Sequence, residues 1–254
     1  MAFFNSSNPV LNEKKLSSTV VAHSGLQNTM TVTGTIQKFG FLFILVMASA
    51  YYSWKEQAEG GNAMPLIMTG AIGGLVVALI IVFKKEWAPY LAPLHALLQG
   101  LFIGAISAAF NGAFAETAPN IIFNAVGLTL AVCAAMYFLY TFRIIKVTQK
   151  LRSVIIAATA GIAIFYLMVF AMRMFGFSGM SFLHEGSVLG IGFSVFVVAL
   201  AALNLLLDFD MIEKGTEMGA PKFMEWFCAF GLMITIVWLY IEILRLLGKV
   251  SGRD

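Results

Sequence analysis

The chain has 254 residues, of which 60% are hydrophobic and 11% charged, with a formal net charge of +3. Ordinary soluble domains carry roughly 25% charged residues, so this composition excludes a soluble fold and describes an integral membrane protein. The small positive excess reflects the distribution of loop charges, and no nucleic-acid partner is expected.

In chain order, an N-terminal tail (residues 1–38) comes first, with Asn5, Ser6, Glu13, Lys14, Lys15 and Asn28 among its polar residues. It does not read as a cleavable signal peptide, so the first helix is expected to be its own insertion signal. Uncharged apolar windows then follow at 39–54, 60–83, 87–115, 117–142, 153–172, 186–207 and 226–241. A helix of about 20 residues crosses some 30 Å of hydrocarbon. The expectation is therefore an all-α, polytopic fold with seven transmembrane helices over residues 39–247 and a short tail at 248–254. The N-terminal tail and the 208–225 turn are too short to hold cores of their own.

Once seven spans are drawn, eleven Lys and Arg residues fall in the tail and in the loops near 84, 143–152 and 214–222, against five on the opposite side. The positive-inside rule then places the N-terminus in the cytoplasm and the C-terminus outside, although Arg245, Lys249 and Arg253 run against the bias. Within the spans, Gly70 and Gly74 in the second and Gly100 and Gly104 in the third are four residues apart. Each pair lies on one helix face, where small residues let backbones approach.

Two patterns resemble catalytic ones and fail on chemistry. Gly176-Phe177-Ser178-Gly179 matches the G-x-S-G of intramembrane serine proteases, and His95 with Gln99 is loosely like a histidine-bearing helix. A serine nucleophile needs a histidine base within hydrogen-bond reach, and the later histidine, His184, is six residues on in the same loop. No enzyme is expected. A retinal-type pigment is excluded because no lysine lies inside a span. Cys133 and Cys228 are isolated within spans, which offers neither a disulfide framework nor metal spacing.

The acidic residues carry more information, because a carboxylate at bilayer depth marks an ion or proton pathway unless it is paired. Asp208 and Asp210 stand about 200° apart on a helix and point to nearly opposite faces. Asp210 has Lys214 at i+4 and reads as a solvated surface pair. Asp208 has Asn204 at i−4 and no cation on its own helix, so its partner must come from elsewhere. If the last two helices form a hairpin centred near residues 216 and 217, Asp208 and Glu225 lie at one depth and can share a proton or hold a cation. The alternative stays open: Glu225 flanks the headgroups and Asp208 ends its helix in water. The last window, at 16 residues, spans only about 24 Å, so Glu225, Glu242 or both sit near or within the membrane. Glu242 has Arg245 at i+3 for neutralisation. The first window is as short, but its flanking Lys38 and Lys55 have stems long enough to reach water.

The segment Leu206-Leu207-Asp208-Phe209-Asp210-Met211-Ile212-Glu213-Lys214 resembles the sixth-helix aspartate segment of the Bax inhibitor (transmembrane Bax-inhibitor-motif, YccA-like) membrane proteins. Trp238-Leu239-Tyr240-Ile241-Glu242-Ile243-Leu244-Arg245-Leu246-Leu247 is similar to the seventh-helix ending of one bacterial branch. So are Asn8-Pro9-Val10-Leu11 and Thr31-Val32-Thr33-Gly34-Thr35-Ile36. The resemblance spans essentially the whole chain. It implies a seven-helix bundle with the last helix central, in a bacterial plasma membrane. It also implies a pH-sensitive cation leak, mainly of calcium, gated by two aspartates on helices six and seven. Asp208 matches the first. The second is missing: alignment through Arg245 brings its position near Thr235, and alignment through Trp226 brings it near Ile234. Ion or proton gating is therefore expected at Asp208, with Glu225 or Glu242 as substitutes and Asp210 nearby, and with calcium as a candidate ligand of Asp208 and Glu225. No other cofactor is expected. The rival expectation is a non-conducting regulatory protein that binds a membrane protease or stress-response partner.

Overall fold

The computed structural model describes residues 29–175 and 187–252. It contains seven long helices: α1 Val32–Ala58, α2 Ala63–Phe83, α3 Ala88–Ala113, α4 Ile121–Thr141, α5 Gln149–Met174, α6 Val188–Glu217 and α7 Met224–Ser251. All seven are long and apolar enough to cross a bilayer. A 3-10 turn, Lys85–Trp87, links α2 to α3. Among the described residues, β-pairing is confined to one bridge between Thr29 and Pro221. Large apolar side chains such as Phe83, Tyr90 and Phe123 project from the bundle at 81% exposure each, which suits a lipid solvent and no other.

α7 is the axis of the bundle. It packs on α1, α3, α4 and α6, and 61% of its most apolar stretch is buried, against 11–39% for the other six helices. Its two faces join two cores. Ala229, Phe230, Met233 and Val237 pack with Leu42, Val46 and Ala92 of α1 and α3. Leu239, Tyr240, Ile243 and Leu244 pack with residues of α4 and α6, including Ala125 and Leu205. α5 is the most peripheral helix and rests mainly on α6.

Lipid is as apolar as leucine, so helices in a membrane associate through close packing. A Cβ at Gly100 would strike Ser49 and the Val46 carbonyl, and one at Gly104 would strike the Ala50 backbone. α1 and α3 therefore touch backbone to backbone, and Ser53 donates a hydrogen bond to the Leu101 carbonyl at 2.8 Å across the same seam. On α2, Gly70 meets the Leu98 carbonyl, where a Cβ would lie 2.6 Å away. Gly74 does not share this role, since its nearest contact would be Gln99 at 4.0 Å, while Gly73 faces Leu98. The α2 contact follows a three-residue spacing and not the four-residue spacing read from the sequence.

The helix ends also differ from the charge-free windows. α1 starts at Val32, capped by the Thr31 hydroxyl, which accepts a hydrogen bond from Gly34 N at 2.9 Å. α6 runs on to Glu217 and ends at Gly219, whose φ of +65° is a left-handed conformation that glycine adopts without strain. The expected hairpin centre near 216 and 217 is thus still helical, and the turn lies at Met218–Phe223.

Candidate functional site

The shifted turn decides which carboxylates meet. Asp208 lies nine residues before the end of α6, roughly 14 Å down from it, and comes level with Gly231 and Thr235 of α7. A Cβ on Gly231 would be 3.9 Å from Asp208 Oδ1, so the missing side chain makes room for the carboxyl. Thr235 follows Gly231 by one turn on the same face of α7, and its hydroxyl donates to the Gly231 carbonyl at 3.2 Å. Asp208 Oδ2 is buried and has no hydrogen-bond partner among the described residues. The expectation that Asp208 turns inward and lacks a cation on its own helix matches this geometry. Its counterpart on α7 is Thr235, the position reached by aligning through Arg245.

The Asp208–Glu225 pair does not form. Glu225 is completely enclosed at 0% exposure, but in a pocket of its own at the start of α7. Its Oε1 accepts hydrogen bonds from Thr31 N at 2.9 Å and Thr31 Oγ1 at 3.0 Å, and lies 3.0 Å from Lys222 Nζ. Lys38 Nζ is 2.7 Å from Oε2, an ion pair made without hydrogen-bond alignment. Gly34 is required here because any Cβ would overlap the carboxylate. Lys38 thus turns inward to Glu225, where the sequence suggested a side chain reaching to water. The segment before α1 closes the pocket: Met30 N donates to the Ala220 carbonyl at 2.7 Å, and the Met30 side chain is buried beside Gly215, Ile212 and Cys228.

Asp210 is also not the solvated pair expected. It does bind Lys214, at 2.8 Å, but its side chain is only 7% exposed and Arg152 from the start of α5 closes on the same oxygen. One turn further on, Glu213 accepts from the Tyr140 hydroxyl and pairs with Arg143. These clasps tie the α4–α5 connection to α6. Arg152 and Arg143 entered the sequence reading only as loop charges, because pairing between separate helices leaves no local spacing signal. Glu242 keeps its expected partner, Arg245 at 3.1 Å, and gains the Tyr166 hydroxyl at 3.2 Å.

Asp208 and Glu225 therefore do not converge on a calcium ion, and among the described residues no three His, Cys, Asp or Glu side chains are grouped to hold a metal. His95 is buried edge-on against Phe230, with centroids 4.8 Å apart. Ser178 and His184 lie outside the described residues. Cys133 and Cys228 are free thiols, half-buried and buried.

Six apolar helices around a central seventh, with carboxylates set among them, define a polytopic integral membrane protein with a polar seam between α6 and α7. The Bax inhibitor 1 like family model matches residues 8–252, nearly the whole chain, and the chain belongs to that family. Comparison with curated proteins gives no match.

Proposed function

We propose that the protein passively conducts cations across a bacterial plasma membrane, calcium foremost, and that Asp208 is the group through which pH acts on the path. The reading is carried by the buried, unpartnered Oδ2 of Asp208 at the α6–α7 seam. Glu225, Asp210, Glu213 and Glu242 each have a protein cation within ion-pair distance. Asp208 has none among the described residues, so its charge can change without breaking an ion pair.

The two protonation states make different demands on the seam. Protonated, the carboxyl is a donor that can turn to the Thr235 hydroxyl or a backbone carbonyl. Ionised, it needs a positive charge, and a passing cation can supply one. Calcium takes 6–8 oxygen ligands, so a lone Asp208 with Thr235 is a transit contact and not a resident site. One carboxyl is enough for a proton-dependent switch, and this chain has a hydroxyl where the resemblance implies a second aspartate.

Calcium flux into liposomes containing the purified protein tests the reading. Flux should depend on pH in the wild type, and Asp208→Asn should flatten that dependence while the protein still inserts. Full pH dependence in Asp208→Asn would remove Asp208 from the path. No flux in the wild type would favour the non-conducting alternative, a regulator that binds a membrane protease or stress-response partner.

The excess of basic residues on its side supports a cytoplasmic N-terminus. In a variant lacking Cys133 and Cys228, a cysteine near Ser17 should be shielded from an impermeant thiol reagent in intact cells, and one near Ser251 should be labelled. The reverse labelling would contradict the orientation. No enzymatic step belongs to this reading. Fluorophosphonate labelling that disappears in Ser178→Ala would contradict that.

A further inference from the structure

Glu242, Arg245 and Lys249 occupy positions i, i+3 and i+7 of α7, which stacks them on one face at the helix end far from the α6–α7 turn. They line a cavity of about 530 Å³ whose other walls include Phe110 of α3 and Phe114 just past its end, Val169 and Phe170 of α5, and Ser194 of α6. Charge in the cavity does not cancel. Glu242 takes up Arg245 and the Tyr166 hydroxyl. Lys249 is left without a carboxylate in ion-pair distance among the described residues. Its ammonium donates to the Gly190 carbonyl at 3.0 Å and to Ser194 Oγ at 2.7 Å, which commits two of its three donors. Arg245 spends one donor on Glu242, and its guanidinium lies over the Tyr166 ring, 5.4 Å from the centroid.

The surroundings identify the class of ligand. α3 and α5 both wall the cavity yet, among the described residues, make no extensive contact with each other, which leaves a gap between two helices long and apolar enough to cross a bilayer. Lys249 lies within the last turn of α7, a helix of membrane-spanning length, and the end of such a helix is where basic side chains meet phospholipid headgroups. Val169 and Phe170 supply an apolar wall beside it. We propose that this cavity binds an anionic phospholipid. The phosphate of the headgroup sits on Lys249 and the free edge of Arg245, and the first part of an acyl chain lies along Val169 and Phe170. A free phosphate would satisfy the cations but leave the apolar wall empty. This site is separate from Asp208 and does not depend on conduction.

The test is thermal unfolding of the purified full-length protein in a neutral detergent, with phosphatidylglycerol, phosphatidylcholine or inorganic phosphate added at matched concentrations. A ligand that binds only the folded state raises the unfolding temperature. Phosphatidylglycerol should do so, and the other two should not. Lys249→Gln should weaken the apparent affinity for phosphatidylglycerol at least about fivefold, the worth of one basic residue near an anionic lipid. Lys55→Gln, exposed at the end of α1 and outside the cavity, should not. Val169→Trp keeps both cations and fills the cavity from its apolar side, so it should weaken binding as well. Equal stabilisation by phosphatidylcholine would overturn the proposal, as would equal losses in Lys249→Gln and Lys55→Gln, or full replacement by inorganic phosphate. If Lys249→Gln does not fold, Val169→Trp decides alone, and unchanged affinity there is the contrary result.

Discussion

Glu225 and Asp208 are both carboxylates of the α6–α7 hairpin, and they are handled in opposite ways. Glu225 has the smaller exposed surface, and two lysines and the Thr31 backbone and hydroxyl surround it. Asp208 is half-buried as a residue, yet one of its oxygens is enclosed and partnerless. Burial alone therefore does not single out a functional acid in a membrane protein. A buried charge supplied with cations is a structural rivet, and removing one partner leaves the others stranded. A carboxyl left without a cation is the group that pH or a passing ion can act on.

The largest effect expected from breaking this contrast is at the rivet. Glu225→Gln should destabilise the protein by about 2–4 kcal/mol, less than for a fully dry pair because Lys38 and Lys222 are 20% and 47% exposed. Denaturant titration in detergent should show it, and a neutral result would make Glu225 as dispensable as a surface residue. Gly34→Ala presses a methyl into the same carboxylate and should cost about 1–3 kcal/mol without changing any charge. If it costs nothing, α1 is free to move away and the pocket is looser than drawn. Asp210→Asn weakens the clasp to Arg152 and Lys214, both partly exposed, for an expected loss of about 1–2 kcal/mol. Its flux should keep the wild-type pH dependence. Asp208→Asn should change stability least, by less than about 1 kcal/mol, because the substitution breaks no ion pair. A stability loss there equal to that of Glu225→Gln would erase the distinction between the two sites.

Much of the fold is legible in the sequence, because seven uncharged windows in a chain with so few charges leave little choice of architecture. The opposed faces of Asp208 and Asp210 are legible too, since the 200° offset belongs to the helix itself. Register is not. It depends on where α6 stops, and α6 runs on through Asp210, Glu213, Lys214 and Glu217, of which the first three are held in ion pairs. The helix runs to Glu217 and the chain turns at Gly219, which moves the level of Asp208 from Glu225 to Gly231 and Thr235. The partners Arg152 for Asp210 and Lys38 for Glu225 were invisible for a related reason. Each comes from another helix, and a basic residue at the edge of a window reads first as a topology signal. The i, i+3, i+7 spacing of Glu242, Arg245 and Lys249 belongs to the sequence, but the cavity it faces needs α3 and α5 in place.

The central claim, that Asp208 is the carboxyl whose protonation changes in the seam, is tested most directly by infrared titration of the purified protein. The carbonyl stretch of a protonated carboxylic acid is followed against pH in the wild type and in Asp208→Asn. The account predicts one buried-acid band that titrates reversibly in the wild type and is missing from Asp208→Asn. A titrating band that persists unchanged in Asp208→Asn would contradict it and move the pH-sensitive group to another carboxyl.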